Sequence, residues 1–162
     1  MTPAGKHRLI MDESSGRDFL TAYKDSRGIS TIGHGFNLEE PSNASVFKEI
    51  TGYTVKQARD GKISITKEHQ EKLLDHSITV AEKDARQMVP DFDQLSPAKQ
   101  DAIVNFLFNV GLTTARKFKN TFAAINSGDW ERAAKGIRTS LYAKQVGDRA
   151  ERIAAALEAE DG

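Results

Sequence analysis

YKDSRGISTIGHGFN, residues 23–37, is the stretch on which the reading of this chain turns. Phe19, Leu20, Ala22 and Tyr23 lead into a polar turn, Asp25-Ser26-Arg27-Gly28, and Ile29, Thr31 and Ile32 follow it. Aromatic and β-branched residues on both sides of a turn that ends in Gly predict a β-hairpin with a longer loop. Gly33 and Gly35 mark positive φ or close backbone approach. Asp25 sits at the end of the first strand, where the backbone of the turn can hold a carboxylate toward a cleft. Thr31 stands across the turn on the returning strand.

Glu13 lies twelve residues before Asp25, at the end of an opening helix predicted over residues 4–13. Two carboxylates in different surroundings can supply a general acid and a general base at neutral pH. Glycoside hydrolysis needs such a pair. A lone Glu at a helix end or a lone Asp beside a turn is commonly structural, so the spacing by itself leaves both readings open.

Outward from the hairpin the chain is helical. Residues 39–43 form a Pro-containing connection, and residues 44–51 a short helix ended by Gly52. Thr66 is an N-cap for a long helix that Pro90 stops. Leu73, Leu74, Ile78, Ala81 and Ala85 draw an apolar stripe along it. At 1.5 Å per residue that helix is ~30 Å long, enough to link two lobes. Ser96-Pro97 opens another helix, closed by Gly111, whose residues 102–108 are apolar almost all round and belong in a core. Residues 118–126, 130–139 and 148–158 read as amphipathic helices. The expected architecture is α+β and mainly helical: a small hairpin lobe over 14–64, a linking helix over 66–88 and a helical lobe over 89–162. The whole forms one domain, 1–162, with a ligand cleft between its lobes.

Composition narrows the function. With 38% hydrophobic and 28% charged residues the chain has material for a real core. It has no cysteine, which excludes disulfides and Cys-based metal or redox sites. Lys+Arg and Asp+Glu both number 23, so global charge gives no argument for nucleic acid. Residues 112–139 nonetheless carry Arg116, Lys117, Lys119, Arg132, Lys135 and Arg138 against Asp129 and Glu131. That stretch suits an anionic surface or simply a solvated helix face. No apolar run approaches the ~18 residues of a membrane span. The first twenty residues lack the apolar core of an export signal, so the protein is expected in the cytoplasm when made. His69 and His76 lie ~10 Å apart on one predicted helix, and with His7 and His34 they make no metal site. No cofactor is expected. Trp130 and the phenylalanines at 106, 108, 118 and 122 read as core.

Tyr23-Lys24-Asp25-x-x-Gly28-x-x-Thr31-Ile32-Gly33-x-Gly35 resembles the hairpin of the T-even phage lysozyme family, glycoside hydrolase family 24. The likeness runs on in order. Ile65-Thr66-Lys67-Glu68 with Glu71-Lys72-Leu73 looks like the start of that family's interlobe helix. Asn105-Phe106-x-Phe108-Asn109-x-Gly111 and Phe118-x-Asn120-Thr121 look like its central helix and the loop beyond. Asp129-Trp130-Glu131-x-Ala133-Ala134 and Ser140-x-Tyr142-x-x-Gln145-x-x-x-Arg149-Ala150-x-Arg152 look like its closing helices.

The resemblance implies a lysozyme-like fold and a phage endolysin. Such an enzyme hydrolyses the β-1,4 bond between N-acetylmuramic acid and N-acetylglucosamine in peptidoglycan, with inversion, to lyse the host. It implies Glu13 as acid, Asp25 and Thr31 at the attacking water, and Arg149 orienting Glu13. Asn105, Gln145 and Tyr142 would contact the sugar. It further implies a monomer that inserts in no membrane, waits in the host cytoplasm and reaches the periplasmic wall once a holin opens the membrane. The chain departs from the family in three ways. Three more residues separate Glu13 from Asp25, around Ser14-Ser15-Gly16; His34 is not the family's usual histidine; Tyr142 stands where many members carry Trp. Three alternatives stay open. One is a lytic transglycosylase, to whose Glu-Ser motif Glu13-Ser14-Ser15-Gly16 is similar. The others are a virion-associated tail lysozyme and a non-catalytic wall-binding module of the same fold.

Overall fold

The computed structural model describes residues 1–160, which contain nine α-helices and one three-stranded antiparallel sheet. This is the mainly helical, lysozyme-like α+β fold expected. The last two residues of the anticipated 1–162 span lie outside the described residues. The chain divides into two compact units, one of residues Arg8–Ser77, the other of Met1–His7 with the residues from Ile78 onward. The divisions fall inside helix α1 (Pro3–Ser14) and inside helix α4 (Lys67–Met88).

The first unit is built on its sheet. Strand β1 (Tyr23–Lys24) pairs with β2 (Ser30–Ile32), with Tyr23 opposite Thr31 and Lys24 opposite Ser30. The hairpin is therefore present. A third strand, β3 (Phe36–Asn37), pairs with β2, with Thr31 opposite Asn37 and Ile32 opposite Phe36. Two residues are too few to show an alternation, so β3 escaped the sequence reading. Ile32, Phe36, Leu38, Phe47, Ala58, Ile65 and Leu73 form the core, and the rings of Phe36 and Phe47 lie 5.8 Å apart. Each of these apart from Ala58 contributes about 1.5–3 kcal/mol when fully buried. Helix α2 (Asn43–Thr51) ends at Gly52 as expected. Helix α3 (Val55–Arg59) was not anticipated; a reciprocal capping box between Thr54 and Gln57 starts it. Thr66 caps α4, its Oγ1 accepting from the His69 N–H at 3.0 Å.

The second unit is helical. After a 3-10 turn at Phe92–Gln94, helix α5 (Pro97–Ala115) opens with Pro97 behind the cap Ser96. Gly111 breaks it, with φ 79° and ψ 163° inside the element, so the regular helix does close where expected and one further turn follows. Ala102 to Leu107 are all buried. Around them pack α6 (Lys119–Ser127), α7 (Trp130–Arg138), α8 (Leu141–Val146) and α9 (Asp148–Glu158). The rings of Phe118 and Tyr142 meet Phe106 edge-on at 5.0 and 5.2 Å. Lys99, 2% exposed, donates from Nζ to the Ala159 carbonyl at 2.6 Å beside the Trp130 ring. A cation there satisfies a carbonyl just past the end of α9.

The positive stretch 112–139 is less positive than its sequence suggests. Arg138 forks onto both Glu151 and Glu158, at 2.8 and 2.6 Å, tying α7 to α9. Among the described residues no helix is long and apolar enough to cross a membrane.

Candidate active site

The hairpin turn positions Asp25 and Thr31 together. The Gly28 N–H donates to the Asp25 carbonyl at 2.9 Å, and the Asp25 N–H to the Ile29 carbonyl at 3.0 Å. Asp25 Oδ1 accepts from the N–H groups of Arg27 (2.8 Å) and Ile29 (2.9 Å), so the turn's own backbone fixes the carboxylate. Oδ2 carries no share of those bonds; the Arg27 guanidinium stands 3.9 Å from it. Thr31 Oγ1 donates to the Ile29 carbonyl at 2.8 Å, the same oxygen that takes the Asp25 N–H. One carbonyl thus registers both residues. With its hydrogen so committed, the Thr31 hydroxyl offers lone pairs, which suit a water O–H. Thr31 is 3% exposed, on the middle strand between Tyr23 and Asn37.

Glu13 comes from the last turn of α1 and is half-buried. Its carboxyl occupies the space beside Gly35, where a Cβ would fall 2.6 Å from Oε2 and 2.8 Å from Cδ. Gly35 also has φ 84°, so glycine is required there twice over. Tyr23 feels the charge of both carboxylates. Its phenol is pushed up to about 12, first by burial and then by the negative charges of Glu13 and Asp25. Its hydroxyl lies 3.4 Å from the Gly33 carbonyl and its ring 4.3 Å from that of Phe19. The sequence reading placed no functional weight on Tyr23. Its position opposite Thr31 in a hairpin was the available signal.

The three additional residues after Glu13 resolve as a helix exit. Helix α1 runs through Ser14, then Ser15 (φ 55°) and Gly16 (φ 78°) turn left-handed. The segment that follows is anchored by Gln70 of α4, 3% exposed, which the sequence reading also missed. Gln70 Oε1 accepts the Phe19 N–H and its Nε2 donates to Asp18, both at 2.9 Å. Gln70 and then Lys67 hold the Asp18 carboxyl below the usual carboxylate range.

In the helical unit, Arg149 and Asn105 are both buried, and Arg149 Nε donates to Asn105 Oδ1 at 2.9 Å. Tyr142, 7% exposed, packs among Phe106 and Phe118, while Gln145 lies on the surface. Of the anticipated sugar contacts, Gln145 is open to solvent, and Asn105 and Tyr142 belong to the interior. Among the described residues no group of three or more His, Asp or Glu could hold a metal ion.

The chain matches the family model described as phage lysozyme over residues 18–155. It is 27% identical to probable T4-type lysozyme 1 of Dictyostelium discoideum over 165 residues, 98% of this chain and 95% of that protein. Probable T4-type lysozyme 2 of the same organism is 25% identical over the same shares. The pre-baseplate central spike protein of Enterobacteria phage T4 is 28% identical over 140 residues, 83% of this chain but 24% of the spike protein. The chain belongs to the phage lysozyme family, and with it to the lysozyme-type glycoside hydrolases, whose substrate is peptidoglycan.

Proposed function

We propose that this member of the phage lysozyme family hydrolyses the β-1,4 bond between N-acetylmuramic acid and N-acetylglucosamine, with inversion, in the service of host lysis. The observation that carries the reading is the single Ile29 carbonyl that registers Asp25 and Thr31, with Glu13 seated on Gly35. Glu13 precedes the residues matched to the family, so its role rests on this placement. It gives its proton to the glycosidic oxygen as the bond to the anomeric carbon breaks and the sugar approaches an oxocarbenium ion. A water attacks the opposite face. One of its hydrogens passes to Asp25 Oδ2, the oxygen not committed to the turn, and the other is held by the Thr31 lone pair. Asp25 then releases its proton to solvent and Glu13 takes one up from solvent, restoring both carboxyls. Arg149 is held through Asn105, and Gln145 is the solvent-exposed member of the residues expected at the sugar.

The protein acts as a monomer, waits in the host cytoplasm and reaches the periplasmic wall after a holin opens the membrane. The likeness to a phage spike protein favours a second reading, a lysozyme carried on the virion. Its presence in purified particles would decide for that route. Proton NMR of the first reducing ends released tests the chemistry. Inversion of a β bond gives the α anomer first. The β anomer first would require a covalent glycosyl intermediate, and the Asp25–Thr31 water site would have no part in it.

A further inference from the structure

The two departures from the family that flank the acid, the additional Ser14 and the unusual His34, meet each other. Ser14 is the last residue of α1 and 5% exposed; His34 lies between Gly33 and Gly35 and is 8% exposed. Ser14 Oγ stands 2.7 Å from His34 Nδ1. The same Oγ donates to the Ile10 carbonyl, one turn back, at 2.9 Å. A hydroxyl has one hydrogen, so the bond to His34 must take its hydrogen from the imidazole. His34 Nδ1 thereby carries a hydrogen, at the head of a chain that runs from His34 through Ser14 to Ile10.

This chain sits one residue from the site on both sides. Ser14 follows Glu13, and His34 precedes Gly35, against which the Glu13 carboxyl packs. The left-handed Ser15 and Gly16 end the helix at once, so no further helical turn holds this end of α1 in place. We propose that Ser14 and His34 are a positioning pair: their hydrogen bond locks the end of α1 to the β2–β3 turn and so sets the Glu13 carboxyl on Gly35. The pair touches neither substrate nor reacting atoms. It rests on Glu13 being the acid.

Positioning errors of the order of 1 Å cost up to about a hundredfold in rate. Ser14→Ala and His34→Ala are each expected to lower kcat about ten- to a hundredfold, with KM within about twofold of the parent enzyme. Because both break one bond, the double variant loses no more than either single variant. His34→Asn, which keeps a donor at the δ position, restores most of the rate. A purely structural role would lower the folded fraction and spare the kcat of the folded enzyme. Independently of activity, nitrogen NMR of the wild-type protein is expected to show His34 protonated at Nδ1. The Nε2–H tautomer would overturn the pair, as would single variants with unchanged kcat or losses that multiply in the double variant. Glu13→Gln run beside them separates the two ideas. If it is inactive while the pair variants are unaffected, only the positioning role falls. If it is active, the acid assignment falls and the pair loses its function with it.

Discussion

Tyr23 feels the charge of both candidate carboxylates, and that gives the site a spectroscopic handle. The folded protein holds the phenolic proton more tightly than the unfolded chain does, because the value rises to about 12 from the ordinary 10. The resulting stability is whole below about pH 10 and is lost as the pH rises through about 12. In an ultraviolet titration, the difference between the wild type and Tyr23→Phe is expected to show phenolate forming only near pH 12. Tyr23→Phe should remove that step and flatten the alkaline loss of stability between those limits. A difference step at the ordinary value of about 10 would separate Tyr23 from the carboxylates. At this scale Asp25 and Thr31 were legible because local turn chemistry fixes them: one side chain bonds its own turn and one carbonyl serves both. Tyr23 and Gln70 were not, since their partners at Glu13 and Asp18 are brought to them by the fold.

Among the elements, the long helices announced themselves by period and cap, as Thr66 for α4 and Ser96-Pro97 for α5 show. The short ones did not. Helix α3 has five residues and α8 six, each less than two turns, so no stripe can repeat along them. Nothing in the sequence marks Lys99, and only the approach of Ala159 turns it into a cap. The exit of α1 is where the elements carry strain. Ser15 is exposed and adopts φ 55°, a conformation that costs a residue with a Cβ about 1–2 kcal/mol. Ser15→Gly relieves that cost but adds freedom to the unfolded chain, for a net gain of about 1 kcal/mol. Calorimetry should show a thermal midpoint raised by about 3 °C for a chain of this size. A lower midpoint would mean that the Ser15 side chain stabilises the turn in some further way.

For the whole molecule, two units each with its own core leave Asp25 and Thr31 on a small hairpin and most of the apolar mass in the helical unit. The Glu13, Asp25 and Thr31 set lies entirely in the unit Arg8–Ser77, while Arg149, Asn105 and Gln145 belong to the other. Glu13 could be suggested from sequence only by its place at the end of the first helix and by the family resemblance; its seat on Gly35 needed three dimensions. The reading of the protein as a hydrolase with Glu13 as acid is tested most directly by mass spectrometry of peptidoglycan digested with the wild-type enzyme and, in parallel, with Glu13→Gln. New ends carrying one added water are predicted for the wild type, with a loss of about 10²–10⁴-fold in their rate of appearance for a folded Glu13→Gln variant. Ends of the 1,6-anhydro type, or a Glu13→Gln variant within a few-fold of wild type, would contradict it.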